Sequence, residues 1–262
     1  MKSFLAYMGG KSLLADRIIS RFPDHQCYVE VFAGAAWLLF KKDEKTSRVE
    51  IINDINLDLV TLYRVIKYHI EEFIRYFKWI LVARDEFERF KIEAPESLTD
   101  IQRAARFYYL LKTGYAARIK NPTFSIATSG QPRLNLLRIE EELSAVHLRL
   151  SRVYVENRHY EVLIPKFDKP DTLFYIDPPY HGYENYYGDD VFYRSDFEKL
   201  RDVLAGIKGK FIMSMNDVPE IRKLYKEFRI KEVATTYSAA GADKKKKVSE
   251  LLIMNYDPPA GK

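Results

Sequence analysis

The chain has 262 residues, 47% of them hydrophobic and 30% charged, enough for one large α/β domain or for a core domain carrying an insertion. A single cysteine, Cys27, excludes an intramolecular disulfide and a cysteine-held metal cluster; it sits in an apolar run and reads as a small core residue. The net charge of +5 and a pI near 9.0 lean toward a polyanionic partner, and 19 Tyr and 16 Phe suit either a packed core or a surface that stacks flat rings.

The opening Met1-Lys2-Ser3-Phe4 lacks the apolar run of a signal peptide, and no segment approaches a membrane span, so the expected location is cytoplasmic. Met8-Gly9-Gly10-Lys11-Ser12 invites a phosphate-loop reading. That motif needs a glycine where Leu5 stands and a strand before it, and the chain has neither. Residues 27–32, with β-branched Val29 and Val31, read as a buried strand running into the small-residue turn Ala33-Gly34-Ala35-Ala36 and an apolar helix through Phe40. A second strand over 48–53 ends at Asp54, completing a βαβ unit. Residues 57–150 change to helical spacing (Leu59, Leu62, Tyr63 and Ile66, then Phe73, Phe77, Ile80 and Leu81), with Thr99 as the N-cap of a helix through Lys112 and another helix over 136–150. Strands return at 153–155, 173–176 and 211–214. The last two, 229–235 and 248–256, flank a Gly- and Lys-rich loop over 238–247. With no helix between them they must pair as a hairpin, making the sheet mixed. In such a sheet ligands bind beyond the carboxyl ends of the parallel strands.

Asp177-Pro178-Pro179-Tyr180 directly follows the apolar strand 173–176. Two prolines stop a strand and stiffen the loop, which gathers a carboxylate, a free carbonyl and an aromatic face. By residue type alone this is either a rigid turn or a site. As a site it suits an exocyclic amine on a flat ring: acceptors aimed at both N–H bonds favour a pyramidal, more nucleophilic nitrogen and stabilise positive charge as it develops there. Asp54 at a neighbouring strand end can accept hydrogen bonds from ribose hydroxyls or cap the next helix. The five histidines show no metal-like spacing, so no catalytic metal is expected. After the turn, His181, Tyr183, Tyr186 and Tyr187 form an aromatic loop.

In order along nearly the whole chain, these features resemble the Dam-like, D12 class, S-adenosylmethionine-dependent DNA adenine-N6 methyltransferases. Tyr7-Met8-Gly9-Gly10-Lys11 is similar to the family's aromatic-x-Gly-Gly-Lys element. Residues 28–36 are similar to its Glu-x-Phe-x-Gly-x-Gly motif, with Ala36 in place of the last glycine. Asn53-Asp54 resembles the ribose-binding segment, and Asp177-Pro178-Pro179-Tyr180 the catalytic signature, whose Asp points to adenine rather than cytosine or glutamine. Ser214-Met215-Asn216-Asp217 resembles a strand-end motif walling the target-base pocket.

The resemblance implies a Rossmann-like mixed seven-stranded sheet of the class I methyltransferase type, with a catalytic domain over 1–56 and 151–262 and a helical target-recognition insertion over 57–150. It implies catalysis by Asp177, Pro178 and Tyr180. It places S-adenosyl-L-methionine against Tyr7, Gly10, Lys11, Phe32, Gly34, Asp54, Tyr160 and Asp177. Arg118, Lys120, Asn121 and Arg133 are candidate DNA contacts, and Lys245 and Lys246 candidate phosphate contacts. Members reading GATC usually carry Asn-Gly where this chain has Ala116-Ala117, so GATC is not expected. The expected partner is double-stranded DNA with the adenine flipped out, and the expected state a monomer or weak dimer at the nucleoid. RNA adenine, protein glutamine, or DNA binding without catalysis are the competing readings.

Overall fold

The computed structural model describes all residues except 6, 8, 127–133, 136–137, 188–190, 239–244 and 260–262; at 185, 187, 236–238 and 245–248 it describes the backbone alone. A short helix α1 (Ala15–Ile19) precedes β1 (Cys27–Glu30), α2 (Trp37–Lys41) and β2 (Val49–Asn53). Then come α3 (Leu57–Tyr68), α4 (Ile70–Phe77), α5 (Arg84–Ile92), α6 (Asp100–Thr113) and α7 (Ile139–Leu150). Alternation resumes with β3 (Val153–Glu156), α8 (Tyr160–Phe167), β4 (Thr172–Ile176), α9 (Asp196–Ala205), β5 (Lys210–Asn216) and α10 (Pro219–Leu224), and the sheet closes with β6 (Arg229–Ser238) and β7 (Lys245–Met254).

The strands form one seven-stranded sheet in the order β3-β2-β1-β4-β5-β7-β6. The first five in that order run parallel, and β7 pairs antiparallel with both β5 and β6. The mixed seven-stranded α/β fold expected of the class I methyltransferase type is the fold found. Every residue of β4 is buried, as a strand covered by helices on both faces must be. One apolar layer takes Val29, Phe174 and Phe211 with α8, α9 and α10; the other takes the alternate residues Tyr28, Leu173 and Ile212. The strand order reverses between β1 and β4, so the crevice at their carboxyl ends is where this topology binds ligands.

The helical segment shares its core with the sheet. Its central helix α6 buries Ala104, Ala105, Phe107, Tyr108, Tyr109, Leu110 and Leu111, in the same cluster as Tyr28 and Tyr175. Thr99 caps α6 in a full capping box with Gln102. α3 also packs on β3, completing the crossover from β2. A buried ionic triad ties the parts together: Glu50 of β2 receives Lys42 and Arg149 of α7, and Arg149 also donates to the Leu39 carbonyl at 3.0 Å.

One helix lies beyond those read from the sequence, and one expectation differs from what is found. α5 is not evident in the sequence, because only Phe87 and Phe90 of its nine residues are buried and the rest is a charged, solvated face. The expected loop over 238–247 is shorter: β6 continues through Ser238, and β7 begins at Lys245 in register with it, so Lys245 and Lys246 are strand residues. An antiparallel ladder holds the lysine run extended through backbone bonds that do not depend on side-chain polarity. Among the described residues, no helix is long and apolar enough to cross a membrane.

Candidate active site

The small-residue turn after β1 is pinned from three sides. The Ala33 N–H donates to the Asn53 carbonyl at 2.8 Å, the Tyr63 hydroxyl to the Gly34 carbonyl at 2.7 Å, and the Gly34 N–H to Asp54 Oδ2 at 2.9 Å. Gly34 has φ of 49°, and a Cβ there would stand 3.1 Å from the Tyr7 ring. Ala36 takes the same left-handed conformation (φ 48°) without glycine's freedom, a strain of about 1 kcal/mol at the start of α2. Trp37 follows and meets Gly10, where a Cβ would lie 2.6 Å from the indole Nε1. Small residues at 10 and 34 therefore leave room for two aromatic walls.

These pieces line a cavity of about 660 Å³, counting its open mouth, at the carboxyl ends of β1, β2 and β4. Tyr7, Gly10, Lys11, Phe32, Gly34, Asp54 and Asp177 of the expected cofactor set lie together on its wall. Glu30, which opens the run similar to Glu-x-Phe-x-Gly-x-Gly, and Trp37, singled out by no feature of the sequence, line it too. Glu30 is 1% exposed, and its Oε1 accepts the Tyr28 hydroxyl at 2.8 Å and the Leu39 N–H at 2.7 Å. Burial pushes its carboxyl up to about 7, against those two hydrogen bonds; the charge of Asp177 adds to the rise. Asp54 Oδ1 accepts the Asn56 N–H at 2.9 Å; burial raises this carboxyl and its backbone bonds oppose the rise. The cap of α3 is Asn56, whose side chain accepts from Asp58 and Leu59, which frees Asp54 from that duty.

Asp177 stands where the cavity meets the Asp-Pro-Pro-Tyr turn. Its Oδ1 accepts Lys11 Nζ at 2.9 Å and the Ser214 hydroxyl at 2.9 Å. Ser214 donates its one proton to Asp177, so the Tyr175 hydroxyl 2.9 Å away must donate to Ser214. Burial pushes the Asp177 carboxyl up and the Lys11 ammonium pulls it back; Glu250 of β7 adds to the rise. Lys11, 4% exposed, also bonds the Gly9 carbonyl and sits 4.6 Å from the centre of the Tyr180 ring. Beyond Tyr180, Asn216 exchanges two hydrogen bonds with the His181 backbone, fixing the exit of the turn to β5.

Tyr160 is not on the cavity wall. It opens α8 with its ring turned inward, 2% exposed and 5.9 Å from the Phe32 ring, and its hydroxyl reaches Asp196 Oδ1 at 3.3 Å. A Tyr at the first helical position points back toward the sheet, so it backs Phe32 from behind. Arg118, Lys120 and Asn121 are exposed on the turn after α6, apart from this cavity. Arg133 lies outside the described residues, as do the side chains of Lys245 and Lys246. Tyr183 and Tyr186 are about half exposed, with rings 5.4 Å apart.

Three carboxyls against one lysine, two aromatic walls and two positions where a Cβ would intrude fit a nucleoside cofactor carrying more positive than negative charge. The comparisons agree with that chemistry. Residues 7–239 match the model of the D12 class N6 adenine-specific DNA methyltransferases. The chain is 26% identical to the DNA adenine methylase of Escherichia coli (strain K12), over 98% of this chain and 96% of that protein. It is 26% identical to the type II methyltransferase M.MjaIII of Methanocaldococcus jannaschii, over 98% and 99%. With the type II methyltransferase M1.LlaDCHI of Lactococcus lactis subsp. cremoris the identity is 25%, over 98% and 96%.

Proposed function

The chain belongs to the D12 class N6 adenine-specific DNA methyltransferases, and from that premise we propose which of its residues bind, orient and deprotonate the reacting groups. As a member, it is an S-adenosylmethionine-dependent enzyme that methylates adenine N6 in DNA at specific sites. The cofactor supplies a methyl group on a sulfonium sulfur.

In our reading Tyr7, Gly10, Lys11, Phe32 and Gly34 hold the cofactor, Asp54 takes the ribose hydroxyls on the lone pairs its backbone bonds leave over, and Tyr160 stiffens Phe32. Asp177 and the Pro178 carbonyl accept the two N–H bonds of the target amine, drawing the nitrogen lone pair out of conjugation with the ring. Tyr180 stacks on the base, held by the Lys11 ammonium beneath it. Lys11 and Ser214 both bond Oδ1, so Oδ2 is the oxygen offered to substrate. The N6 proton turns acidic only after the methyl arrives, and a carboxyl raised by burial is a suitable acceptor for it.

To reach this turn from a duplex the adenine must leave the stack, at a cost of roughly a few kcal/mol that DNA contacts offset. Arg118, Lys120 and Asn121, with Arg133, Lys245 and Lys246, are our candidates for those contacts. We read the 57–150 segment as the target-recognition part, the enzyme as a monomer or weak dimer working at the nucleoid, and, from the type II methyltransferases among its relatives, a place in restriction–modification.

The observation that carries the reading is Asp177 itself, at once a wall of the cofactor cavity and the first residue of the acceptor turn. Labelled S-adenosylmethionine incubated with unmethylated genomic DNA should leave its label in N6-methyladenine at mapped sites, and Asp177→Ala should lose transfer while still binding cofactor. Label in another nucleoside, or an active Asp177→Ala enzyme, would overturn it.

A further inference from the structure

A second opening lies on the helical segment, apart from the cofactor cavity. It holds about 810 Å³, counting the solvent in its mouth, between the end of α5, the middle of α6 and the turn that follows α6. Lys91, Arg106 and Arg118 reach it from those three elements, and Asn121 joins them. The acid on its wall is Asp58, which is engaged by Arg103 and lies 3.9 Å from Arg106. Arg106 donates to the Phe90 carbonyl at 2.6 Å and reaches the Lys91 carbonyl at 3.4 Å, clamping the end of α5 against the cleft. Lys91 is exposed, with Glu88 of its own helix 3.7 Å away, and Arg118 is exposed.

The backbone beside this cleft is strained in a way that needs a reason. Among the described residues, four non-glycine residues have positive φ: one is Ala36 at the cofactor cavity, and the other three are Ala116 (54°), Ala117 (51°) and Asn121 (48°). Asn121 takes up this conformation readily, but Ala116 and Ala117 do not, so the turn that carries Arg118 is held in a conformation its two alanines disfavour, a condition that concentrates at binding sites. Bonds from Tyr115 to the Thr123 carbonyl and from Ser125 to the Thr113 carbonyl close the loop and hold it there. Position adds a second argument. Asn56 lines the cofactor cavity and Asp58 the cleft, so only the first turn of α3 separates the two. A duplex that delivers an adenine to Asp177 is therefore close enough to this cleft to touch it as well.

We propose that the cleft of Lys91, Arg106, Arg118 and Asn121 is a seat for a backbone phosphate of the substrate DNA, on the recognition side of the flipped base. Three cations converging from separate elements, with the one acid occupied, match a phosphate; such a contact sets the register of the duplex without reading its sequence. Arg106 is a positioning residue, and Lys91 and Arg118 make the contact. The inference rests on the reading of the enzyme as a DNA methyltransferase.

The test is salt-titrated duplex binding, by fluorescence anisotropy, for the full chain and for Lys91→Ala and Arg118→Ala. Each variant should lower the slope of log affinity against log salt by about 0.9, the value for one phosphate that the protein no longer neutralises. The weakening should be equal on methylatable and scrambled duplexes, with S-adenosylmethionine binding unchanged by Trp37 fluorescence. An unchanged slope in both variants overturns the seat. So does a weakening confined to the methylatable duplex, which would make these residues base readers, or a mononucleotide that binds as tightly as the duplex, which would make the cleft a small-molecule site. Absence of methyl transfer by the unaltered enzyme would instead strike the parent reading.

Discussion

Replacing Glu30 with Gln should stabilise the protein, and by an amount that depends on pH. The carboxyl is held at about 7 in the fold against an ordinary 4.5, because burial penalises its charge more than Tyr28 and Leu39 relieve it. A raised carboxylate contributes stability that is fully present below 4.5 and is lost as pH climbs through 7. Across that gap of about 2.5 pH units, at about 1.36 kcal/mol each, the ionised side chain comes to cost the fold about 3 kcal/mol. Glutamine keeps an acceptor oxygen for both bonds and carries no charge. Urea unfolding of both proteins at about pH 5 and about pH 8 should therefore show Glu30→Gln within about 1 kcal/mol of the parent in acid and more stable by about 2 to 3 kcal/mol in base. A gap that is constant with pH, or that widens toward acid, would refute the assignment of a neutral buried carboxyl. Cofactor sharpens the contrast: a cationic ligand beside Glu30 favours its ionised form, so the variant should bind S-adenosylmethionine less well while gaining in stability.

Three further outcomes follow from the geometry. Lys11→Met removes the cation that counters burial at Asp177, so the acid limb of the pH–rate profile should move to higher pH; a limb that stays put would mean Lys11 does not set that carboxyl. Gly10→Ala pushes a methyl into Trp37, and should raise the dissociation constant for S-adenosylmethionine and shift the indole emission while leaving the melting temperature within a few degrees; unaltered affinity and emission would show the indole free to move aside. Ala116→Gly relieves a left-handed alanine on an exposed turn and should stabilise by about 1 kcal/mol, or about 2 to 4 °C in Tm, as read by thermal melting; a lower Tm would mean the turn is not strained.

Much of the site is readable before any coordinates. Strand ends are marked by abrupt changes of residue type, so Asp54 after Asn53 and Asp177 after Ile176 stand out, and parallel topology brings such ends together. Side-chain direction is harder to read. Tyr160 has the right type at the right place for a cofactor contact, yet its helix turns it into the core with Phe32 and Phe192. Glu30 falls on the Glu-x-Phe-x-Gly-x-Gly-like run without being assigned a role, because an acid inside an apolar strand carries no local sign of facing a cavity; Trp37 escapes a sequence reading altogether, the small residues between it and Phe32 being the available hint. The Tyr175 hydroxyl behind Ser214 joins residues 39 positions apart, a pairing set by β4–β5 register rather than by any motif. α5 is hidden because two phenylalanines three residues apart do not outweigh seven exposed or half-buried neighbours.

The place of β7 bears on how the enzyme is made. It is the last strand of the sheet in chain order, yet it is bonded on one side to β5 and on the other to β6. While the ribosome is still translating its residues, the nascent sheet has two raw edges and β6 has nothing to pair with. Glu250, whose charge is felt by Asp177, has not yet arrived behind the catalytic turn. A growing chain can therefore complete the cofactor-side strands early but must wait for a long-range insertion to finish, a slow and aggregation-exposed step. Methylating capacity should appear only once β7 is in place, and a stop codon within β7 should yield an insoluble product rather than a weak enzyme.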